Sequence, residues 1–206
     1  VPTTITANVD FLQEVGLSDE EASEALDDVK IAVGELRRGL DLLAWISRWL
    51  SGQVPVEAAN GDVGMFVKRL ERENTPVPVT VDTPDGESLY AAGAQVAVEV
   101  LNILLHNTLA NLPGGRAAIR VSKDGDAILV ELRDAGEPIA EDLRESAFTM
   151  AGQSSLKGRL DGRYSRFVGL FAAAVALNTV GGSIEAGEDQ GDATFTIRLR
   201  AATPTR

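Results

Sequence analysis

Residues 100–111, VLNILLHNTLAN, followed by Leu112 and then Pro113-Gly114-Gly115, decide how this chain is read. Together with the residues before them they form a long helix over 92–112, apolar at Val96, Val100 and Ile103 or Leu104, with Asn107 continuing the same face. The Pro-Gly-Gly triplet stops it, because proline cannot continue a helix and glycine favours turn conformations.

Working outward, a hairpin follows the helix. Ile119 and Val121 mark one strand, and Ile128, Val130 and Leu132 the other, around a Lys123-Asp124-Gly125-Asp126 turn. Asp-Gly is the signal for a turn with positive φ. Another helix is predicted over 169–180, ending at Gly181-Gly182, and a second hairpin has Phe195, Ile197 and Leu199 alternating with Thr194, Thr196 and Arg198. Upstream, residues 63–72 read as a short helix and 77–81, VPVTV, as a strand bounded by prolines. Helices interleaved with hairpins give an α+β fold, an α/β sandwich with a mixed sheet covered by helices on one face.

The first 51 residues differ. Ile5, Val9 and Leu12 are spaced as on a helix, Pro2 suits its first turn, and Gly16 breaks it. Ser18 and Glu21 form a capping box for a second helix. Along that helix Ala22, Leu26, Val29, Val33, Leu36, Leu40, Leu43 and Leu50 keep a heptad seam in which Ser47 is the one lapse. A parallel stripe of Ala25, Ala32, Gly39 and Ile46 runs beside it, and Leu42, Trp45 and Trp49 widen the apolar surface. The two tryptophans read as core. A two-helix hairpin cannot cover so wide a face alone, so either the second domain covers it or a second hairpin does. The expectation is a homodimer in which two hairpins make a four-helix bundle, with residues 1–51 as the hairpin, 52–206 as the second domain, and 51–61 as the linker.

Composition excludes several functions. The net charge of −12 argues against non-specific nucleic-acid binding, which needs Lys and Arg to displace counterions. No cysteine is present, so disulfides, thiolate metal sites and a Cys nucleophile are out. No apolar run approaches the ~20 residues that span a bilayer, and no signal-peptide pattern opens the chain, so a cytoplasmic protein without a membrane segment is expected.

Three segments carry a resemblance. Residues 100–111 resemble the N-box helix, N-L-L-x-N-A-x-K-Y, of the GHKL group of sensor histidine kinases. Asp134-Ala135-Gly136-Glu137-Pro138-Ile139 resembles the D-x-G-x-G loop, and Gly169-Leu170 before Gly181-Gly182-Ser183-Ile184-Glu185 resembles the end of the G-x-G-x-G-L loop with its following helix and strand. In that group the N-box Asn pair and Lys serve Mg²⁺ and the phosphates, and the Asp binds the adenine amino group. Asn107, Asp134, Gly136 and Gly169 match. Ile103, Ala110 and Asn111 stand for the first Asn, the Lys and the Tyr. Pro138 replaces a glycine, and Ser165 and Phe167 occupy two phosphate-loop glycine positions. Residues 151–164 are too few for a long glycine-rich lid. The resemblance therefore implies a decayed nucleotide site in which these four residues are vestiges, with no bound metal and no cofactor. Asp134 capping a turn and Asn107 bonding within the core are the structural alternatives.

A bundle-forming hairpin before such a domain resembles the ChpT-type histidine phosphotransferases. The resemblance implies a dimer that relays phosphoryl groups between response-regulator receiver domains, downstream of a hybrid histidine kinase. In register with that family's first helix, the phospho-accepting histidine falls just upstream of Val1, and no catalytic residue lies within the chain. The one histidine, His106, reads as a partly buried, hydrogen-bonded helix residue. Receiver docking is expected near Thr3, Thr4 and Ala7, and at Arg163 and Arg166 in the local basic cluster with Lys157 and Arg159; a solvated loop is the plainer account of that cluster. A dimeric pseudokinase that sequesters a response regulator is the alternative. A Ser/Thr kinase of the anti-sigma type predicts measurable ATP binding and leaves the heptad helix without a role.

Overall fold

The structure, a computed structural model, describes residues 19–53, 59–72, 75, 77–112, 114–152 and 169–203. The first helix of the expected hairpin therefore lies outside the described residues. The chain divides into two compact units, Val1–Trp45 and Ile46–Arg206.

Helix α1, Asp19–Leu50, is the heptad helix, about 48 Å long at 1.5 Å per residue. It ends in a Schellman motif. Gly52, at φ +67°, donates to the Trp49 carbonyl (3.2 Å) and Gln53 donates to that of Arg48 (3.2 Å). Its two apolar stripes behave differently. Ala25, Ala32, Ile46 and Trp49 are buried, and Trp45 is half-buried. The heptad seam is open: Leu40 is 58% exposed, Leu43 50% and Leu50 65%, and Leu26, Val33 and Leu36 are exposed with them.

The second unit is built on a five-stranded sheet of β2 (Val79–Asp82), β4 (Ala117–Asp124), β5 (Ala127–Asp134), β7 (Asp192–Arg200) and β6 (Ser183–Asp189), in that spatial order. The β2–β4 pair is parallel and the other pairs antiparallel, so the sheet is mixed as expected. One face holds the core. Ile128 pairs with Leu199, Val130 with Ile197 and Leu132 with Phe195, all buried, while Arg120, Glu131, Arg198 and Arg200 on the other face are exposed. Strand β2 starts two residues later than the VPVTV run suggests, although the Pro78 carbonyl already accepts from Ala117 N (3.0 Å) just ahead of the ladder. On the opposite edge of β2, the Glu71 carboxyl accepts from Val81 N at 2.7 Å.

Among the described residues, helices α2 (Val63–Leu70), α3 (Ala94–Asn111) and α4 (Gly169–Thr179) serve the core face. Asp62 caps α2 by accepting from Met65 N at 2.8 Å. Before it, Gly61-Asp62 (β1) pairs with Tyr90-Ala91 (β3), a two-residue ribbon that the sequence reading does not contain. Helices α3 and α4 lie antiparallel. Gly93, at the start of α3, has no room for a side chain against Val180 just after α4, and Gly169 at the start of α4 faces Ile103 in the second half of α3. Helix α4 ends in a second Schellman motif, with Gly182 N donating to the Leu177 carbonyl (2.9 Å) and Gly181 at φ +73°. Among the described residues no helix is long and apolar enough to cross a membrane.

Candidate functional site

The site is assembled where α3, the end of β5 and the start of α4 meet. Helix α3 buries Val100, Leu101, Leu104, Leu105 and Thr108. Its flank carries half-buried Ile103 and Asn107, one turn apart, and its outer side exposes His106 and Leu109. His106 is thus a surface residue rather than a partly buried one; it lies on the side of α3 turned from the core.

Asp134 is the last residue of β5 and is 3% exposed. Burial obliges its oxygens to find donors inside the protein, since an unpaired buried carboxyl is costly. Oδ1 accepts from Gly136 N at 2.9 Å, closing a turn over its own chain. Oδ2 accepts from the Thr108 hydroxyl at 2.6 Å. Thr108 Oγ1 also lies 3.2 Å from the Leu104 carbonyl, but a hydroxyl has one hydrogen, and the shorter contact to Asp134 takes it. Asp134 thus caps a turn, the structural alternative named for it, and is tied to α3 besides.

Ile103 and Asn107 both lie beside the start of α4. A Cβ on Gly169 would stand 3.2 Å from Ile103 Cγ2 and 3.8 Å from Asn107 Nδ2. Gly169 is buried and opens α4, so its lack of a side chain serves helix–helix contact. Magnesium takes oxygen ligands with near-octahedral geometry and retained waters. An isoleucine methyl supplies neither, while the Asn107 amide oxygen, 3.9 Å from the same point, is one oxygen donor that remains. Among the described residues no group of three His, Cys, Asp or Glu side chains could hold a metal.

The loop after β5 is pinned from the far side. Gly136 accepts from Ala193 N (3.1 Å), and Arg144 binds the Ile139 carbonyl (3.0 Å) and Glu188 (3.1 Å). Arg133 donates to Asp192 at 2.8 Å and to Asp189. The Asp192 hydrogen bond chiefly holds the Arg133 guanidinium above its ordinary pKa, against partial desolvation and with help from the Asp189 charge.

The structure therefore brings Asn107, Asp134, Gly136 and Gly169 together around one junction. Thr3, Thr4, Ala7, Arg163 and Arg166 lie outside the described residues, as do Ser165 and Phe167. Thr108 is the residue that sequence reasoning missed. Its signal was available: it stands at the Ala position of the N-box pattern and adds a hydroxyl there.

Residues 94–203, just over half of the chain, match the family model of the histidine kinase-, DNA gyrase B- and HSP90-like ATPases. The chain belongs to this family. Among solved structures, this family member resembles the Acinetobacter baumannii histidine kinase AdeS at a TM-score of 0.65 and 14% identity, over 98% of this chain and 95% of that one. It also resembles full-length ShkA in complex with AMPPNP (TM-score 0.65, 16% identity, 98% of this chain and 47% of that one). A third is the histidine kinase ThkA in complex with the response regulator protein TrrA (TM-score 0.61, 18% identity, 97% and 57%). At these identities the likeness shows a shared fold. A comparison with curated proteins gives no match.

Proposed function

We propose that this member of the ATPase family is a histidine phosphotransferase of a bacterial two-component phosphorelay: a cytoplasmic homodimer that exchanges phosphoryl groups with receiver domains and binds no ATP of its own. The observation that carries the reading is Ile103, which stands against Gly169 at the position where the resemblance calls for an Asn of the phosphate site. Phosphoryl transfer from ATP depends almost wholly on positioning and charge stabilisation of the triphosphate. With Ile103 and Ala110 in place of the amide and the amine, the chain offers little of either. Asn107, Asp134, Gly136 and Gly169 are then kept for packing and turn geometry.

The open leucine seam of α1 supports the dimer, since a four-helix bundle would bury it. ThkA, which shares the fold, is known in complex with a response regulator, and this supports receiver domains as partners, with a hybrid histidine kinase upstream. Docking would use Thr3, Thr4 and Ala7 and the basic residues Arg163 and Arg166.

In the relay, an imidazole nitrogen attacks the aspartyl phosphate of a receiver. The N–P bond forms, the acyl O–P bond breaks, the aspartate leaves as carboxylate, and the imidazole proton passes to water. This reading places the phosphoacceptor on a histidine other than His106, which stands on α3 beside Asn107 and not on the helical hairpin. The second reading, for a protein without such a histidine, is a dimeric pseudokinase that sequesters a regulator without chemistry. The deciding experiment incubates the full gene product with a phosphorylated receiver. Acid-labile, base-stable label on this protein is expected. Tight complex formation with no transfer to any receiver would replace the relay by sequestration.

A further inference from the structure

We propose that a notch at the far end of the sheet binds a small zwitterion of the amino-acid class, whose carboxylate meets Arg198 and Arg200 and whose ammonium meets Asp126. The notch follows from unequal strand lengths. Strand β6 begins at Ser183, opposite Arg198, so Leu199 and Arg200 of β7 have no partner on β6. Ala92 N donates to the Arg200 carbonyl instead, at 3.0 Å. The gap leaves an open depression of about 190 Å³, floored by Ala127, which pairs with Arg200 and is 3% exposed. Strand β5 runs from Ala127 to Asp134, so at 3.4 Å per residue the depression lies about 24 Å from the Asp134 junction. The proposal therefore stands apart from the reading of that junction.

The charges around the notch decide the ligand. Alternation along β7 sends Arg198 and Arg200 to one face, about 7 Å apart, and Ser183 stands across from Arg198. Asp126, in the β4–β5 turn, lines the same depression. Among the described residues Arg200 and Asp126 make no ion pair and no side-chain hydrogen bond, and Arg198 reaches Asp124 at 3.4 Å. Charges of both signs thus face one cavity without touching. A plain anion would meet two guanidiniums but also the Asp126 carboxylate, and a plain cation would meet the reverse. A molecule carrying both groups answers all three, since a guanidinium fork fits a carboxylate and an ammonium donates to one. The three charged side chains are exposed, so solvent screening keeps the affinity weak, with Kd on the order of 1 mM.

The test titrates glycine, 4-aminobutyrate, acetate and methylammonium into the isotope-labelled chain at low salt, where surface charges are least screened. Amide shifts of Ala127, Gly182, Ser183 and Leu199 in two-dimensional NMR read occupancy. At least one zwitterion is expected to bind about threefold or more tightly than either singly charged probe. Arg200→Gln should weaken the zwitterion and acetate alike, by about threefold. Arg198→Gln repeats that measurement should the Arg200 variant loosen the end of β7. Asp126→Asn should weaken the zwitterion and strengthen acetate, opposite responses that a plain anion site cannot give. Absence of saturable shifts at these amides in the wild type, up to about 50 mM ligand, overturns the site. Acetate matching the better zwitterion overturns its class, and so does an Asp126→Asn variant that binds the zwitterion as wild type does.

Discussion

Gly169 and Ile103 are fitted to one another: a methyl group added to the glycine would stand 3.2 Å from Ile103 Cγ2. This spacing is tighter than side chains ordinarily accept, so alanine at 169 forces the isoleucine to move.

Two effects then oppose each other in Gly169→Ala. Alanine is better than glycine in a helix by about 1 kcal/mol, while overpacking costs about 1–3 kcal/mol. The net expectation is a loss of about 1 kcal/mol. In an Ile103→Ala background the clash is gone, and the same substitution should stabilise by somewhat less than about 1 kcal/mol. Urea unfolding of the four proteins of this cycle measures the coupling. Additive effects would show that the two residues do not press on one another.

The seam of α1 makes an independent prediction. Leu40 and Leu43 are already half-exposed or more in the single chain, so Leu40→Glu with Leu43→Glu should leave the fold of each protomer unchanged to within about 0.5 kcal/mol. In a dimer the same pair removes four leucines. At about 1.5 kcal/mol for each, the loss is on the order of 6 kcal/mol, or some four decades in Kd. Sedimentation equilibrium should show a dimer for the wild type and a monomer for the double variant. Two species of equal mass would remove the seam from any interface.

At the β6–β7 turn, Asp189 pairs with Asp192 around Gln190-Gly191, and both central residues have positive φ, 52° and 89°. Glutamine pays a steric penalty there that asparagine tolerates better. Gln190→Asn should therefore stabilise the domain by about 0.5 kcal/mol, read as a higher denaturation midpoint at unchanged slope.

That turn also illustrates what the sequence exposes and what it hides. The β4–β5 turn is legible from its Asp-Gly signal, but its centre is Gly125-Asp126, one residue later than the Asp124-Gly125 centre expected, and of that pair only Gly125 takes a positive φ, +60°. Gln190-Gly191 announces nothing comparable, although Phe195, Ile197 and Leu199 reveal the strand beside it. Helix α3 is legible through its period and its stop. The β1–β3 ribbon is not, because two residues cannot display a period of two. The retained motif residues could be found by pattern, but the Thr108–Asp134 bond joins positions 26 residues apart through the fold and has no local signature. Gly169 shows the remaining ambiguity. A glycine kept for a ligand and a glycine kept for a neighbouring helix are the same letter.

The carboxyl of Glu71 on Val81 N has a consequence for handling the protein at high concentration. An edge strand is a template on which a foreign strand can polymerise. At β2 an invading backbone would have to evict a carboxyl to gain its first amide. At the opposite edge, β6 sets Glu185, Glu188 and Asp189 against any identical strand that approached it. The sheet is thus guarded against fibril growth by occupancy at the β2 margin, while at the β6 margin Glu188 and Asp189 are engaged by Arg144 and Arg133 and Glu185 carries what like-charge repulsion remains.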